Sequence, residues 1–128
     1  MKKIILIVDD SVAFHATITF AFGEYTLVST YDEHGALSVV ENTPVDMVLC
    51  DLNLNEESED FDRGINLIRD IRKKKSELPI IAVTNYFEQR EHWALVSEFG
   101  ATNILYKKDY NIKNWKETFH KLLDNYWK

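Results

Sequence analysis

Two aspartates stand side by side at the end of an unbroken aliphatic run, "IILIVDD" at residues 4 to 10, and a second run, "MVLCDLN" at 47 to 53, carries a third, Asp51. Two further runs end on other functional groups, "IIAVT" on Thr84 and "NILYK" on Lys107. If these runs are parallel strands, Asp9, Asp10, Asp51, Thr84 and Lys107 all come to the carboxyl ends of the sheet, the edge where open α/β folds bind ligands. Three carboxylates in one crevice repel and raise one another's pKa unless positive charge joins them. Lys107 offsets one negative charge and a divalent cation would offset the other two. An all-oxygen donor set favours a hard cation, Mg2+ with Mn2+ as its substitute. Zinc is not indicated, because His15, His34, His92 and His120 fall on different elements and form no local ligand pair.

Each of these residues has an ordinary role when taken singly. Asp9, Asp10 or Asp51 would serve to cap a following helix, Thr84 would be a strand-end hydroxyl and Lys107 a surface lysine. Taken jointly, one site accounts for five residue choices.

The elements that must position them are legible from period. Apolar runs of strand length recur at 4 to 8 (IILIV), 25 to 30 (YTLVST), 46 to 50 (DMVLC), 80 to 84 (IIAVT) and 103 to 107 (NILYK). Their near-continuous apolar, β-branched character suits parallel strands covered on both faces. Helical spacing follows the fourth run at Trp93, Val96 and Phe99, and the fifth at Ile112, Trp115, Phe119, Leu122, Leu123 and Tyr126. Ser11, Asp32 and Asn111 fit helix N-caps, Gly23 and Gly100 fit helix ends, and Pro44 and Pro79 precede strands. Strict alternation of five strand-helix units predicts an α/β fold, a doubly wound five-stranded parallel sheet with right-handed crossovers. The segment 52 to 63, with five acids and one arginine, breaks the rhythm and reads as a solvated loop with room for function.

Composition narrows the class. A chain of 128 residues, 45% hydrophobic and 28% charged, fits one globular domain over residues 1 to 128, and no run nears the roughly 20 apolar residues of a membrane span. The opening "MKKIILIVDD" reads as a strand and not a signal peptide, since its apolar run is short and ends in acid. The single cysteine, Cys50, excludes an internal disulfide and suits a buried position in a reducing compartment, with the cytoplasm as the expected location. A net charge of −6 argues against direct nucleic-acid binding. The basic run "RDIRKKK" at 69 to 75 reads as the solvated last turn of a helix.

The ordered set "VDD", "LCDLN", "VTN" and "YKK", spread over the whole chain, resembles the receiver domain of bacterial two-component response regulators. That resemblance implies a flavodoxin-like (βα)5 sheet in the order 2-1-3-4-5. It implies that Asp51 accepts a phosphoryl group from a sensor histidine kinase or phosphotransfer protein, and that Thr84 and Lys107 hold phosphoryl oxygens. Asp10 and Asp51 would ligate Mg2+ directly, Asp9 through water, and Asn53 through its backbone carbonyl. The implied activity is limited to the protein's own magnesium-dependent phosphorylation and dephosphorylation. The output would be a downstream protein, or a second copy, bound at the face of the fourth helix, fifth strand and fifth helix, with Trp127 a candidate contact.

Several positions depart from the family pattern. Asn85 and Tyr86 follow the threonine where a small residue is usual. Ile104 stands three residues before Lys107, where the family carries a switch aromatic, and Tyr106, one residue before Lys107, is expected on the opposite side of the strand. Lys108 replaces a cis proline, and since a cis bond without proline costs about 2.5 to 4 kcal/mol, a trans bond is expected. The loop after Asp51 lacks the usual methionine-proline. These changes predict phosphorylation with an output by another rearrangement than the usual threonine-aromatic relay. The alternative is a pseudo-receiver that binds partners constitutively. An aspartate-nucleophile phosphatase would show two aspartates separated by one residue, and a flavin site would want amide donors and hydroxyls where this chain has acids.

Overall fold

The computed structural model describes residues 2–54, 62–85 and 97–124. Five strands form one sheet: β1 (Ile4–Val8), β2 (Thr26–Thr30), β3 (Met47–Asp51), β4 (Ile80–Thr84) and β5 (Asn103–Tyr106). All pair in parallel in the order β2-β1-β3-β4-β5, the flavodoxin-like order expected from the sequence. Helices α1 (Val12–Ala21), α2 (Glu33–Asn42) and α3 (Asp62–Lys74) and a C-terminal helix (Ile112–Asp124) cover it. The fourth helix expected around Trp93 and Val96 lies outside the described residues, as do Tyr86, His92, Tyr126 and Trp127. Among the described residues, no helix is long and apolar enough to cross a membrane.

The sheet is filled from both sides because its strands alternate. Leu6, Val8, Val48, Cys50, Ile80 and Ala82 pack with Ala36 and Val40 of α2 and with Ile65, Ile68 and Ile71 of α3. Ile5, Ile7, Met47, Leu49, Ile81 and Val83 face Ile18 of α1 and Trp115, Phe119 and Leu123 of the C-terminal helix. Both β3 and β4 are buried at every residue, so near-continuous apolar sequence is what a central parallel strand requires. Cys50 is fully buried, as its setting suggested.

Local signals set the boundaries. Ser11 Oγ accepts from Phe14 N (3.2 Å), Asp32 Oδ1 from Gly35 N (2.8 Å) and Asn111 Oδ1 from Asn114 N (3.1 Å), so all three expected caps close orphan amides. Four strand edges shift by one residue, β3 at both ends since Asp46 also drops out of it. Tyr25 leaves β2 to enter the core, Asp51 joins β3 by pairing with Val83, and Lys107 leaves β5 for a 3-10 turn over Lys107–Asp109 closed by Tyr110 N to Lys107 O at 3.1 Å. No peptide bond among the described residues is cis, so Lys107–Lys108 is trans as expected.

Two loop expectations need correction. The run at 69 to 75 does end α3 with Arg72, Lys73 and Lys74, but Arg72 is not simply solvated. Its guanidinium donates to the Gly100 carbonyl through Nε (2.9 Å) and Nη2 (2.6 Å), and to the carbonyls of Lys75 (3.0 Å) and Ser76 (2.9 Å). One side chain thus satisfies the open end of its own helix and pins the turn at Gly100, whose φ of 109° suits glycine. The acidic segment is also not solvated throughout, because Leu52, Asn53 and Leu54 are buried and Arg63 makes a two-pronged ion pair with Glu33 (3.1 and 2.7 Å). Residues 55–61 of that segment lie outside the described residues.

Candidate functional site

The strand ends bring the five sequence-selected residues to one edge. β1 delivers Asp9 and Asp10 into the turn before α1, β3 ends on Asp51, β4 ends on Thr84, and Lys107 follows β5. Carboxylate oxygens of Asp9, Asp10 and Asp51 lie within 4.8 Å of one another. Asp9, Asp51 and Thr84 are buried and Asp10 is half-buried.

Backbone amides and one cation hold the acids in place. Asp9 Oδ1 accepts from Ser11 N at 2.8 Å, and Asp51 Oδ1 from Asn53 N at 3.2 Å. Lys107 Nζ lies 2.7 Å from Asp9 Oδ2 and 4.0 Å from Asp51 Oδ2. The same ammonium sits 4.5 Å from the centroid of the Phe14 ring, so the aromatic face steers it over the acids. The Thr84 hydroxyl donates to Asn53 Oδ1 at 3.4 Å, while the buried Asn53 Nδ2 has no acceptor among the described residues.

The electrostatics follow from this crowding. Burial, then the Asp9 charge, push the Asp51 carboxyl up from 3.8 to about 7, against the opposing pull of Lys107 and the Asn53 amide. Three carboxylates and one ammonium leave two negative charges. A hard divalent cation fits this donor set by charge and by its all-oxygen chemistry.

Sequence reasoning missed two neighbours. His15, buried on α1, sets Nε2 2.7 Å from the Asp9 carbonyl oxygen and Nδ1 2.9 Å from Ser29 Oγ. Its position on the buried stripe of His15, Ile18 and Phe22 was the available signal. Gly64, near the start of α3, lies against the turn after Asp51. A Cβ there would meet Leu52 Cα at 2.5 Å, Leu52 O at 2.6 Å and Asp51 O at 2.7 Å. A lone glycine in a helical pattern was its signal.

Tyr106 is expected on the side opposite Lys107, but Lys107 leaves the strand, and within β5 residues two apart share a face, so Ile104 and Tyr106 lie on the same one. Ile104 packs with the layer of α2 and α3, Leu105 with the opposite layer, and Tyr106 is the ladder partner of Thr84. Asn85, directly after Thr84, is exposed.

Comparisons with known proteins agree with this geometry. A response regulator receiver domain from Methanospirillum hungatei, described as CheY-like, is 25% identical with a TM-score of 0.84, over 97% of this chain and 95% of that one. The Vibrio cholerae chemotaxis protein CheY4 is 20% identical, TM-score 0.84, over 96% of this chain and 100% of that one. NtrX from Brucella abortus is 21% identical, TM-score 0.81, over 97% of this chain but 26% of that longer one. None of the curated proteins compared with the sequence matches it. Residues 5–116 match the family model of the response regulator receiver domain, and with the parallel order of the sheet this establishes that the chain belongs to that family of signalling modules.

Proposed function

We propose that Asp51 is the phosphoacceptor of this receiver and that residues 1–128 act as one phosphorylation-dependent binding unit in the cytoplasm. The observation that carries the reading is the Asp51 carboxylate set among Asp9, Asp10 and Lys107 at the carboxyl edge of the sheet. Asp10 and Asp51 would hold Mg2+ directly, Asp9 through a water and Asn53 through its backbone carbonyl, with Mn2+ able to substitute. When bound, the ion supplies the positive charge that lets a dianionic phosphoryl group approach a carboxylate.

The chain's own residues do the rest. One Asp51 oxygen forms the new O–P bond as the N–P bond of a phosphohistidine breaks, and the electron pair leaves with the imidazole nitrogen, which takes a proton from solvent. The Lys107 ammonium, already within 4.0 Å of Asp51, is placed to meet a phosphoryl oxygen. The Thr84 hydroxyl, in exchange for its long 3.4 Å bond to Asn53, is placed to donate to another. Such transfer depends on positioning and charge neutralisation more than on covalent help. The donor we infer is a sensor histidine kinase or phosphotransfer protein, and the output is a protein bound at the face that includes β5 and the C-terminal helix.

The test is incubation with Mg2+ and a small acyl phosphate, followed by intact-mass measurement. One acid-stable, base-labile phosphoryl group is expected, absent in Asp51→Asn and absent under chelator. No adduct on the wild-type chain would overturn the phosphoacceptor reading in favour of a constitutive binding module.

A further inference from the structure

The buried imidazole of His15 is a polar group beside the acidic trio that phosphoryl transfer leaves unused. A backbone carbonyl only accepts hydrogen bonds, so the 2.7 Å contact to the Asp9 oxygen requires the proton on Nε2. In the neutral ring Nδ1 is then the acceptor, and the Ser29 hydroxyl at 2.9 Å is its donor. Tyr31 closes the outside, its ring centroid 4.5 Å from that of His15 and tilted by 48°. His15 is therefore held on three sides, by the turn that leads out of β1, by β2 and by the tyrosine.

The group it grips is well chosen. The Asp9 carbonyl belongs to the peptide that joins Asp9 to Asp10, at the point where β1 ends and the chain turns into α1. Asp9 N donates to Thr30 O at 3.2 Å, and the Asp9 carboxylate is taken by Ser11 N and Lys107. With the imidazole on the remaining carbonyl, rotation of the peptide plane that aims the Asp10 carboxylate would break a 2.7 Å hydrogen bond.

We propose that His15 is a positioning residue for the acidic pocket, fixing through Nε2–H the peptide that carries Asp10 and so setting the pocket's affinity for Mg2+. This rests on the magnesium reading of Asp9, Asp10 and Asp51. Partners that orient a metal ligand without touching the metal typically change affinity by about 10- to 100-fold when removed.

The experiment compares side chains that reproduce one ring nitrogen each. In His15→Gln the amide nitrogen takes the place of Nε2 and keeps the bond to Asp9. In His15→Asn the amide reaches only as far as Nδ1, so Ser29 keeps a partner and Asp9 loses one. Mg2+ titrations of the full chain, followed by the amide resonances of Asp10 and Asn53, should give an affinity near wild type for His15→Gln and about 10-fold weaker for His15→Asn. A purely structural histidine would lower the thermal midpoint of both without separating their affinities, and equal affinities overturn the proposal. Wild-type protein gives a readout that needs no variant. Nitrogen shifts of the ring must report the Nε2–H tautomer, and an Nδ1–H tautomer overturns the assignment. Failure of the wild-type chain to bind Mg2+ at all would instead remove the magnesium reading itself.

Discussion

Placing a buried carboxylate at Asp51 should cost the metal-free protein stability, and the cost should depend on pH in a defined direction. Its carboxyl is raised from 3.8 to about 7, chiefly by burial. An acid with a raised folded-state pKa contributes its stability below the unfolded value of about 4, and loses it as pH climbs through about 7. At about 1.36 kcal/mol for each tenfold change in proton affinity, the span corresponds to about 4 kcal/mol, and water entering the pocket reduces it toward about 2. Asp51→Asn cannot ionise, so the difference in unfolding free energy between wild type and variant isolates this one group. Glu33 and Glu41, held low by Arg63 and Lys74, slope the other way at acid pH and cancel in that difference. Urea denaturation with chelator at pH 4, 6 and 8 is the assay. Relative to wild type, the variant should gain about 2 to 4 kcal/mol between pH 4 and pH 8. Parallel pH profiles for the two proteins would refute the argument that desolvation and the Asp9 charge raise Asp51.

Three further outcomes follow from other contacts. Lys107→Met removes the largest influence that lowers the Asp51 carboxyl, so the same subtraction should show its transition moving above pH 7. Gly64→Ala drives a methyl to within 2.5 Å of Leu52 Cα, and urea midpoints should report a loss of about 1 to 3 kcal/mol, with slower acyl phosphate uptake because the Asp51 turn is displaced. Arg72→Ala leaves the part-buried Gly100 carbonyl without its donor, while the exposed carbonyls of Lys75 and Ser76 turn to water, for an expected loss of about 1 to 2 kcal/mol in urea. Arg72→Lys should recover less than half of it, since an ammonium cannot reproduce the fork.

The strand-helix alternation, the caps and the acid-threonine-lysine edge were legible because each depends on residues close in sequence, whereas the strand order, a matter of distant pairings, came only through the family resemblance. A strand end is visible where an apolar run stops, and a cap where a short polar side chain precedes a helical stripe. What stayed hidden depends on distant partners. His15 is explained only by Ser29 and the Asp9 carbonyl, Arg72 by a carbonyl 28 residues away, and Gly64 by the backbone of Leu52. Single-residue shifts at β2, β3 and β5 have the same origin, because the ladder partner and not the residue's own apolarity decides where a strand stops. Asp51 belongs to β3 because Val83 pairs with it.

Tyr106 shows how a correct periodicity yields a wrong inference when it is referred to the wrong neighbour. Lys107 lies beyond the last residue of β5, so the face of Tyr106 is fixed within the strand, where it matches that of Ile104 two residues earlier. Ile104 in place of an aromatic therefore does not empty that face of aromatic surface. It moves the ring along β5 by two residues, about 7 Å. The move changes its level in the ladder, for Ile104 pairs with Ala82 whereas Tyr106 pairs with Thr84 itself. Adjacent strands lie about 4.8 Å apart, so half-buried Tyr106 is the β5 residue level with Thr84. A change in what the Thr84 hydroxyl bonds is thus made at the rung of the ladder where β5 carries a tyrosine in place of the family's aromatic two residues earlier.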